Sequence, residues 1–149
     1  MSEQSLMVVF LLSTPLVGAL LCLIISNHQP KLLSNVAFFS SILTLLISLA
    51  LLWTHKGTAF STLKWHWFAL GNHPLEISFE FNELTLPLLM IVSCISFLVH
   101  VYSIDFFKDD KSRSRYFSTL GLFIFSLMGL TLSGNLFQLF IFWELVGLC

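Results

Sequence analysis

The chain has 149 residues, of which 56% are hydrophobic and 10% charged, with a formal net charge of −1. Soluble domains carry about a quarter of charged residues, so this sequence lacks the polar surface that a soluble globular protein exposes. The small net charge also argues against a nucleic-acid partner. We therefore expect an all-α polytopic membrane protein whose surroundings are the lipid bilayer.

The first predicted element is the apolar run Leu6–Ile25. Its length suffices to cross a hydrocarbon core of about 30 Å as a helix. The preceding residues, Met1–Gln4, are acidic rather than basic, and no A-x-A cleavage site follows, so we interpret the run as a retained span and not as a signal peptide. Pro15 in its middle predicts a kink.

Three further apolar segments follow, separated by the charged residues of the chain. Only a helix satisfies all of its own backbone groups in lipid without forming a closed barrel, so each segment is predicted to be a transmembrane helix. These segments are Leu32–Trp53, Leu84–Ile104 and Tyr116–Leu132.

The fifth predicted helix begins after the turn Ser133–Asn135 and is unusually short. From Leu136 to Cys149 it would extend only about 21 Å at 1.5 Å per residue, less than the bilayer core needs. We therefore expect five transmembrane helices, the fifth truncated, at the front of a longer protein.

The loop between helices 2 and 3 carries alternating patterns that predict a short β-hairpin. Apolar Ile77, Phe79 and Phe81 alternate with polar residues, Lys64–Trp67 alternates similarly, and Gly71–Pro74 supplies turn residues. The alternative is an irregular interfacial loop. Three tryptophans, Trp53, Trp65 and Trp67, fit an aromatic belt at the lipid headgroups.

The basic residues predict the orientation of the chain. Five of the seven Lys and Arg residues lie in the first and third loops, which share one side, and the positive-inside rule places that side in the cytoplasm. The N-terminus and the hairpin loop then face outward. We interpret the run Lys108–Arg115 as a mixed-charge, solvated loop. The sequence thus divides into residues 1–53, the outer loop 54–83, and residues 84–149.

Glu144 is the first candidate functional residue, because no other charged residue lies between Arg115 and it. A carboxyl group there costs about 2.5–3.5 kcal/mol on insertion scales. It lies about 13–14 Å beyond the turn at Asn135, near the midplane of the membrane. Its charge would depend on a nearby cation, which suits a proton site; the alternative is a purely structural pair with a lysine. Gly147 leaves space beside it, and Trp143 and Phe140 flank it.

His100 is the second candidate, as a proton relay. It lies five positions before Asp105, near the cytoplasmic end of the third helix. An imidazole there could pass protons between water and a buried site, although an ordinary interfacial histidine explains it as well.

The sequence predicts no cofactor or metal in this chain. Cys22, Cys94 and Cys149 lie in separate apolar segments without a C-x-x-C spacing, so they form no zinc or cluster motif. Glycine-rich nucleotide-binding motifs are absent as well. Redox chemistry would therefore belong to partner subunits.

Three stretches of this sequence resemble one known family. Leu136–Cys149 resembles the fifth helix of the large antiporter-like subunit of respiratory complex I, which is called L in bacteria and ND5 in mitochondria. His100–Ser103 and the approach Ser78–Leu84 to the third helix are similar to the same family. The resemblance covers nearly the whole chain and makes residues 84–149 the start of the proton-translocating domain.

The resemblance implies a non-redox subunit of NADH:quinone oxidoreductase, which couples electron transfer from NADH to quinone to proton pumping. Glu144 would pair with a lysine of a later helix, while NADH, FMN, iron–sulfur clusters and quinone would be bound by partner subunits. Other membrane subunits and protons would be its partners, and this fragment alone would be inactive. The resemblance favours the bacterial plasma membrane over the mitochondrial inner membrane, with a multi-pass topology and the N-terminus outside.

Two other interpretations remain open. Subunits of Mrp-type sodium/proton antiporters and of membrane-bound hydrogenases share the Trp143-Glu144 pair, although the residues Val146–Cys149 look more like complex I. A structural membrane scaffold, in which Glu144 only holds helices together, belongs to a different functional class.

Overall fold

The computed structural model describes residues 3–25, 29–54, 61–70, 73–108 and 110–149. Residues 71 and 72 of the predicted hairpin turn and the first two residues of the acidic leader lie outside this range. The described residues form five helices and one two-stranded antiparallel sheet. The elements are α1 (Glu3–Ile24), α2 (Pro30–Thr54), β1 (Ser61–Leu70), β2 (His73–Phe81), α3 (Thr85–Phe106), α4 (Arg113–Leu132) and α5 (Leu136–Leu148).

Four of the five predicted membrane helices are confirmed as long and apolar enough to cross a bilayer. Helices α1 to α4 contain 20 to 25 residues, which corresponds to about 30–38 Å of helix. The fifth, α5, has 13 residues and a length of about 20 Å. Pro15 lies inside α1, which the structure assigns as one helix.

The four long helices form a bundle in which each helix has two main neighbours. Helix α1 packs against α2 and α4, α3 packs against the same two helices, and α5 packs against α4. Small residues permit close approach, as is common between helices in membranes. A Cβ added at Gly18 would overlap Ser40 of α2, and one added at Gly121 would lie 3.0 Å from Ala19 Cβ.

Polar side chains point into this bundle, while many large apolar side chains point out of it. The Thr14 and Thr44 hydroxyl groups are 2.9 Å apart, and the Ser40 hydroxyl donates to the Thr14 carbonyl. By contrast, Phe39, Leu98 and Trp143 are each more than 60% exposed. This distribution suits lipid as the surrounding solvent, because apolar surface gains nothing there by being buried.

The two strands confirm the predicted β-hairpin. They pair from Ser61↔Phe81 to Leu70↔His73, with an irregularity between His66 and Phe68. Phe79 and Phe81 are 6% and 2% exposed and belong to a core cluster with residues from the ends of the helices. The alternating pattern therefore buries one face of β2 against the bundle. We call this side of the bundle the hairpin end and the opposite side, where α2 and α4 begin, the basic end.

The hairpin is also hydrogen-bonded to the turn between α4 and α5. The Gly134 amide donates to the Ser78 carbonyl at 2.8 Å, and the Ser78 amide donates to Gln138 Oε1 at 2.9 Å. Asn135 caps α5 by accepting from the Gln138 amide, and its Nδ2 donates to the Glu76 carbonyl at 2.7 Å. We call these contacts the hairpin clasp. They fix the position at which α5 begins.

Helix α5 docks on α4 through one close contact. The Phe142 ring lies against Gly129, where an added Cβ would overlap it, and its centroid is 5.6 Å from that of Phe125 in an edge-to-face arrangement. The missing side chain at Gly129 therefore makes the space that Phe142 occupies. This contact sets the rotation of α5 about its own axis.

The clasp generates a first prediction. Replacing Asn135 by Ala removes both the cap and the donation to Glu76, and we expect the full-length protein to lose about 0.5–2 kcal/mol of stability in detergent. Asn135→Asp keeps the cap acceptor but loses the amide donor, so it should open the hairpin while retaining α5. Thermal unfolding measures the first effect, and the rate of tryptic cleavage at Lys64 in β1 measures the second. Equal cleavage rates in Asn135→Asp and the parent protein would contradict the clasp.

The α4–α5 contact generates a second prediction. Gly129→Ala should destabilise the docked α5 by about 1–3 kcal/mol, because the new methyl group overlaps the Phe142 ring. Adding Phe142→Leu, which replaces the aromatic ring by a smaller side chain, should recover part of this loss of stability. The measurement is a double-mutant cycle of thermal stabilities in the full-length protein. Strictly additive effects would show that the two residues do not share this space.

Candidate functional site

Glu144 lies on the open face of α5. It is exposed on the surface of the described bundle, about 13–14 Å beyond the Asn135 N-cap. Phe142 points the other way, toward α4, and thereby turns Glu144 away from the four long helices. The carboxyl group therefore faces outward from the described part of the chain, and its depth in the membrane stays a prediction.

The neighbours of Glu144 share its exposure. Phe140 and Trp143 are 58% and 63% exposed, and a Cβ added at Gly147 would meet nothing within 4 Å. No hydrogen bond or ion pair joins Glu144 to another described residue. The arrangement is a carboxyl group on an aromatic, unpartnered helix face, with space beside it for another helix or for water.

His100 is buried between α3 and α4. It is 4% exposed, its Nδ1 lies 2.8 Å from the Ser96 carbonyl, and its ring centroid is 6.1 Å from that of Phe117. Because a carbonyl oxygen can only accept, Nδ1 carries the hydrogen in this contact. One turn on, the hydroxyl groups of Ser103 and Tyr116 are 2.8 Å apart, which forms a polar contact between α3 and α4.

The structure does not bring the two candidate residues together. Glu144 lies on α5, which packs against α4, whereas His100 lies at the interface of α3 with α4. Phe117, the neighbour of His100, is in the first turns of α4 near the basic end, and Phe125 and Gly129, the neighbours of α5, are further along. The two residues therefore do not form one site within the described chain.

Two polar residues at the start of α5 have structural roles. Asn135 and Gln138 hold the hairpin clasp, and Gln138 is only 5% exposed. The Gln138 Nε2 atom is buried without a hydrogen-bond partner among the described residues.

The structure corrects the predicted environment of Arg113. The prediction of a solvated loop is wrong there, because Arg113 begins α4 and is 5% exposed. Its Nη1 donates to the Lys108 carbonyl at 3.1 Å, and its Nη2 donates to the Ile104 carbonyl at 3.1 Å and to Ser34 Oγ. The spacing of Arg113, Phe117 and Gly121, four residues apart on one inward helix face, is the sequence signal that could have revealed it.

Within the described ranges, no three His, Cys, Asp or Glu side chains come together as they would around a metal ion.

Comparison with known proteins identifies the family. A family model described as "NADH-Ubiquinone oxidoreductase (complex I), chain 5 N-terminus" matches residues 67–117. That match includes β2, α3 and the beginning of α4.

Full-length relatives match more of the chain. NAD(P)H-quinone oxidoreductase subunit 5 of the Chara vulgaris chloroplast is 37% identical over 124 residues, covering 83% of this chain and 18% of the relative. Chain 5 of the same enzyme from Synechocystis sp. is 36% identical over 118 residues, covering 77% and 17%. The Piper cenocladum chloroplast subunit is 34% identical over 143 residues, covering 91% and 19%.

The chain thus spans less than a fifth of the length of these relatives. The matches extend beyond the region of the family model to most of the chain, and they confirm the resemblance to this family. The chain belongs to the subunit 5 family of the NADH-quinone oxidoreductases of respiratory complex I, and it matches the N-terminal region of that family.

Proposed function

We propose that this chain is the N-terminal part of a proton-translocating membrane subunit of NADH:quinone oxidoreductase. In this proposal, electron transfer from the nicotinamide cofactor to quinone takes place in partner subunits and drives proton movement through this one. Residues 84–149 form the start of the proton-translocating domain. Family membership and the position of Glu144 support the proposal.

The single observation that carries it is the unpartnered carboxyl group of Glu144 on the open face of the apolar helix α5. No described residue offers it a hydrogen bond or an ion pair. Holding an isolated carboxylate in hydrocarbon is costly, so the group must either bind a proton or acquire a cationic neighbour. Alternation between these two states loads and releases one proton.

The open face of α5 supports a partner from a further helix. Gly147, one turn beyond Glu144, has open space where a side chain would be, so another helix could approach closely. Trp143 and Phe140 would then lie at the new interface and exclude bulk water. We propose that this helix supplies the lysine that pairs with Glu144.

We propose that the subunit itself carries out no redox step. NADH, FMN, iron–sulfur clusters and quinone are assigned to partner subunits, since the chain contains no motif for any of them. The described residues supply only one side of the Glu144 site, so this part of the protein is not expected to translocate protons alone. Its assembly with other membrane subunits of the complex is part of the proposal.

For the membrane orientation, we propose a multi-pass protein in a bacterial plasma membrane with the basic end in the cytoplasm and the N-terminus outside. The distribution of Lys and Arg supports this orientation. A relative from the cyanobacterium Synechocystis is consistent with a bacterial membrane.

The two other interpretations, an antiporter or hydrogenase subunit and a structural scaffold, have less support. An antiporter or hydrogenase subunit would also use Glu144 for ion movement, but the relatives described above carry names of NAD(P)H-quinone oxidoreductase subunits. A structural scaffold would use Glu144 only to hold helices together. The experiment below separates the scaffold from the two transport functions.

Glu144→Gln in the full-length subunit of the assembled complex should lower NADH-driven proton uptake by at least about tenfold, because a positioned proton-transfer group contributes roughly 10²–10⁴ in rate. Inverted membrane vesicles allow proton uptake and quinone reduction to be measured together. Glu144→Asp, which retains the carboxyl group, should keep part of the coupling. Glu83→Gln is the matched control, since Glu83 is exposed between β2 and α3, outside the helices.

Three outcomes distinguish the functions. Normal proton uptake with normal assembly in Glu144→Gln removes this residue from the mechanism. Failure of the complex to assemble, with no uncoupled complex recovered, supports the scaffold. Uptake that depends on a sodium gradient rather than on NADH supports the antiporter.

For His100, the contacts favour a structural role over a proton relay. Its Nδ1 bond to the Ser96 carbonyl and its burial against Phe117 account for the residue without a transport step. His100→Gln should therefore lower thermal stability by about 1–3 kcal/mol through lost packing and a lost hydrogen bond. The proton-to-electron ratio of the assembled complex should stay at the parent value. A reduced ratio in a normally assembled, normally stable complex would instead assign His100 to a relay.

A further inference from the structure

A cationic cleft lies at the basic end, between the start of α2, the end of α3 and the start of α4. It has a volume of about 500 Å³ and opens at the surface of the bundle. The polar residues that line it are Lys31, Ser34, Asn35, Asp105, Lys108 and Arg113. Helices α2 and α4 begin here, α3 ends here, and all three are long and apolar enough to cross a membrane, so we place the cleft at the level of the lipid headgroups.

The charges of the cleft favour an anion. Three cationic side chains face one carboxyl group, Asp105, so positive charge is in excess. Lys31 and Lys108 are exposed and form no ion pair with a described residue. They are therefore free to contact a ligand without breaking a pair.

Arg113 forms the buried wall of this cleft and is incompletely satisfied. Its hydrogen bonds go to two carbonyl groups and one hydroxyl group, none of which carries a negative charge. Its Nε is buried without a partner among the described residues. A buried cation without a counter-charge is costly, and an anion in the cleft would lower that cost.

The cleft continues into an apolar groove. Asn35 lines both the cleft and a groove of about 600 Å³ between α1 and α2. The walls of this groove are mainly apolar and include Val17, Leu21, Leu32 and Phe39. A charged pocket at headgroup level that leads into an apolar groove along the helices matches the shape of a phospholipid, with a polar head and acyl chains.

We propose that this cleft binds the phosphate group of an anionic phospholipid, with one acyl chain in the α1–α2 groove. Excess positive charge favours a lipid with net negative charge, such as phosphatidylglycerol, over zwitterionic phosphatidylcholine. The adjoining groove favours a lipid over free phosphate, because a free ion would leave the groove unused. The bound lipid would join α2, α3 and α4 at the basic end, and this role is independent of Glu144.

The test uses the full-length protein in its assembled complex, depleted of lipid and placed in nanodiscs. Subsaturating phosphatidylglycerol with a photoreactive diazirine on one acyl chain is added and illuminated, and mass spectrometry locates the label. We expect labelling of the groove in α1 and α2. Lys31→Ala and Lys108→Ala should each lower it about fivefold, the effect of about 1 kcal/mol per cation. Both lysines are exposed, so neither change should disturb folding.

Lys111→Ala is the matched control, since Lys111 is an exposed lysine of the same loop that does not line the cleft. Labelling of the Lys111→Ala variant should equal that of the parent protein. In the parent protein, a phosphatidylcholine probe should label the groove at least about fivefold less than the phosphatidylglycerol probe does. Equal labelling by both lipids, or the same loss in Lys111→Ala as in Lys31→Ala, would overturn the proposal. Displacement of the label by excess inorganic phosphate would assign the cleft to a free anion and overturn the lipid assignment.

Discussion

This fold depends on one constraint: where water is absent, every polar group needs a hydrogen-bond partner from the protein. Hydrocarbon offers no hydrogen bonds, so backbone groups are satisfied within helices, and serine and threonine hydroxyls bond to carbonyls of their own or a neighbouring helix. Between α1 and α2, the Ser40 hydroxyl donates to the Thr14 carbonyl, and the Thr14 and Thr44 hydroxyls bond to each other. The same requirement leaves apolar side chains free to face outward. The polar interior and the apolar exterior of the bundle therefore both follow from the hydrocarbon that surrounds it.

Two charged side chains, Arg113 and Glu144, meet this constraint in different ways. Arg113 lies at the basic end, where carbonyl groups exposed near helix ends accept its hydrogen bonds, and only Nε is left over. Glu144 lies within α5, where helix carbonyls are already used and could not donate to a carboxylate in any case. The described residues therefore satisfy all of the arginine's nitrogen atoms except Nε. The glutamate requires a proton or a cation from elsewhere.

The hairpin and the position of Glu144 are mechanically connected. Ser78 of β2 bonds to Gly134 and Gln138, while Asn135 both caps α5 and reaches the Glu76 carbonyl. These bonds set where α5 begins and hence how deep its carboxyl group lies. The packing of Phe142 on Gly129 then sets which way that group faces. The hairpin clasp and the Phe142–Gly129 contact together define the geometry around Glu144. Neither contributes a titratable group to that site.

Hydropathy, alternation and gaps between charges are local properties of the chain, so they suffice to predict the membrane helices, the hairpin and the isolation of Glu144. The burial of Arg113 depends instead on long-range packing, since its partner Ser34 lies on α2, far away in sequence. So does the hairpin clasp, two of whose bonds join residues about 60 positions apart. The direction of Glu144 likewise depends on Phe142 meeting Gly129 across two helices. Such contacts depend on which helix faces are neighbours, and no local pattern specifies that.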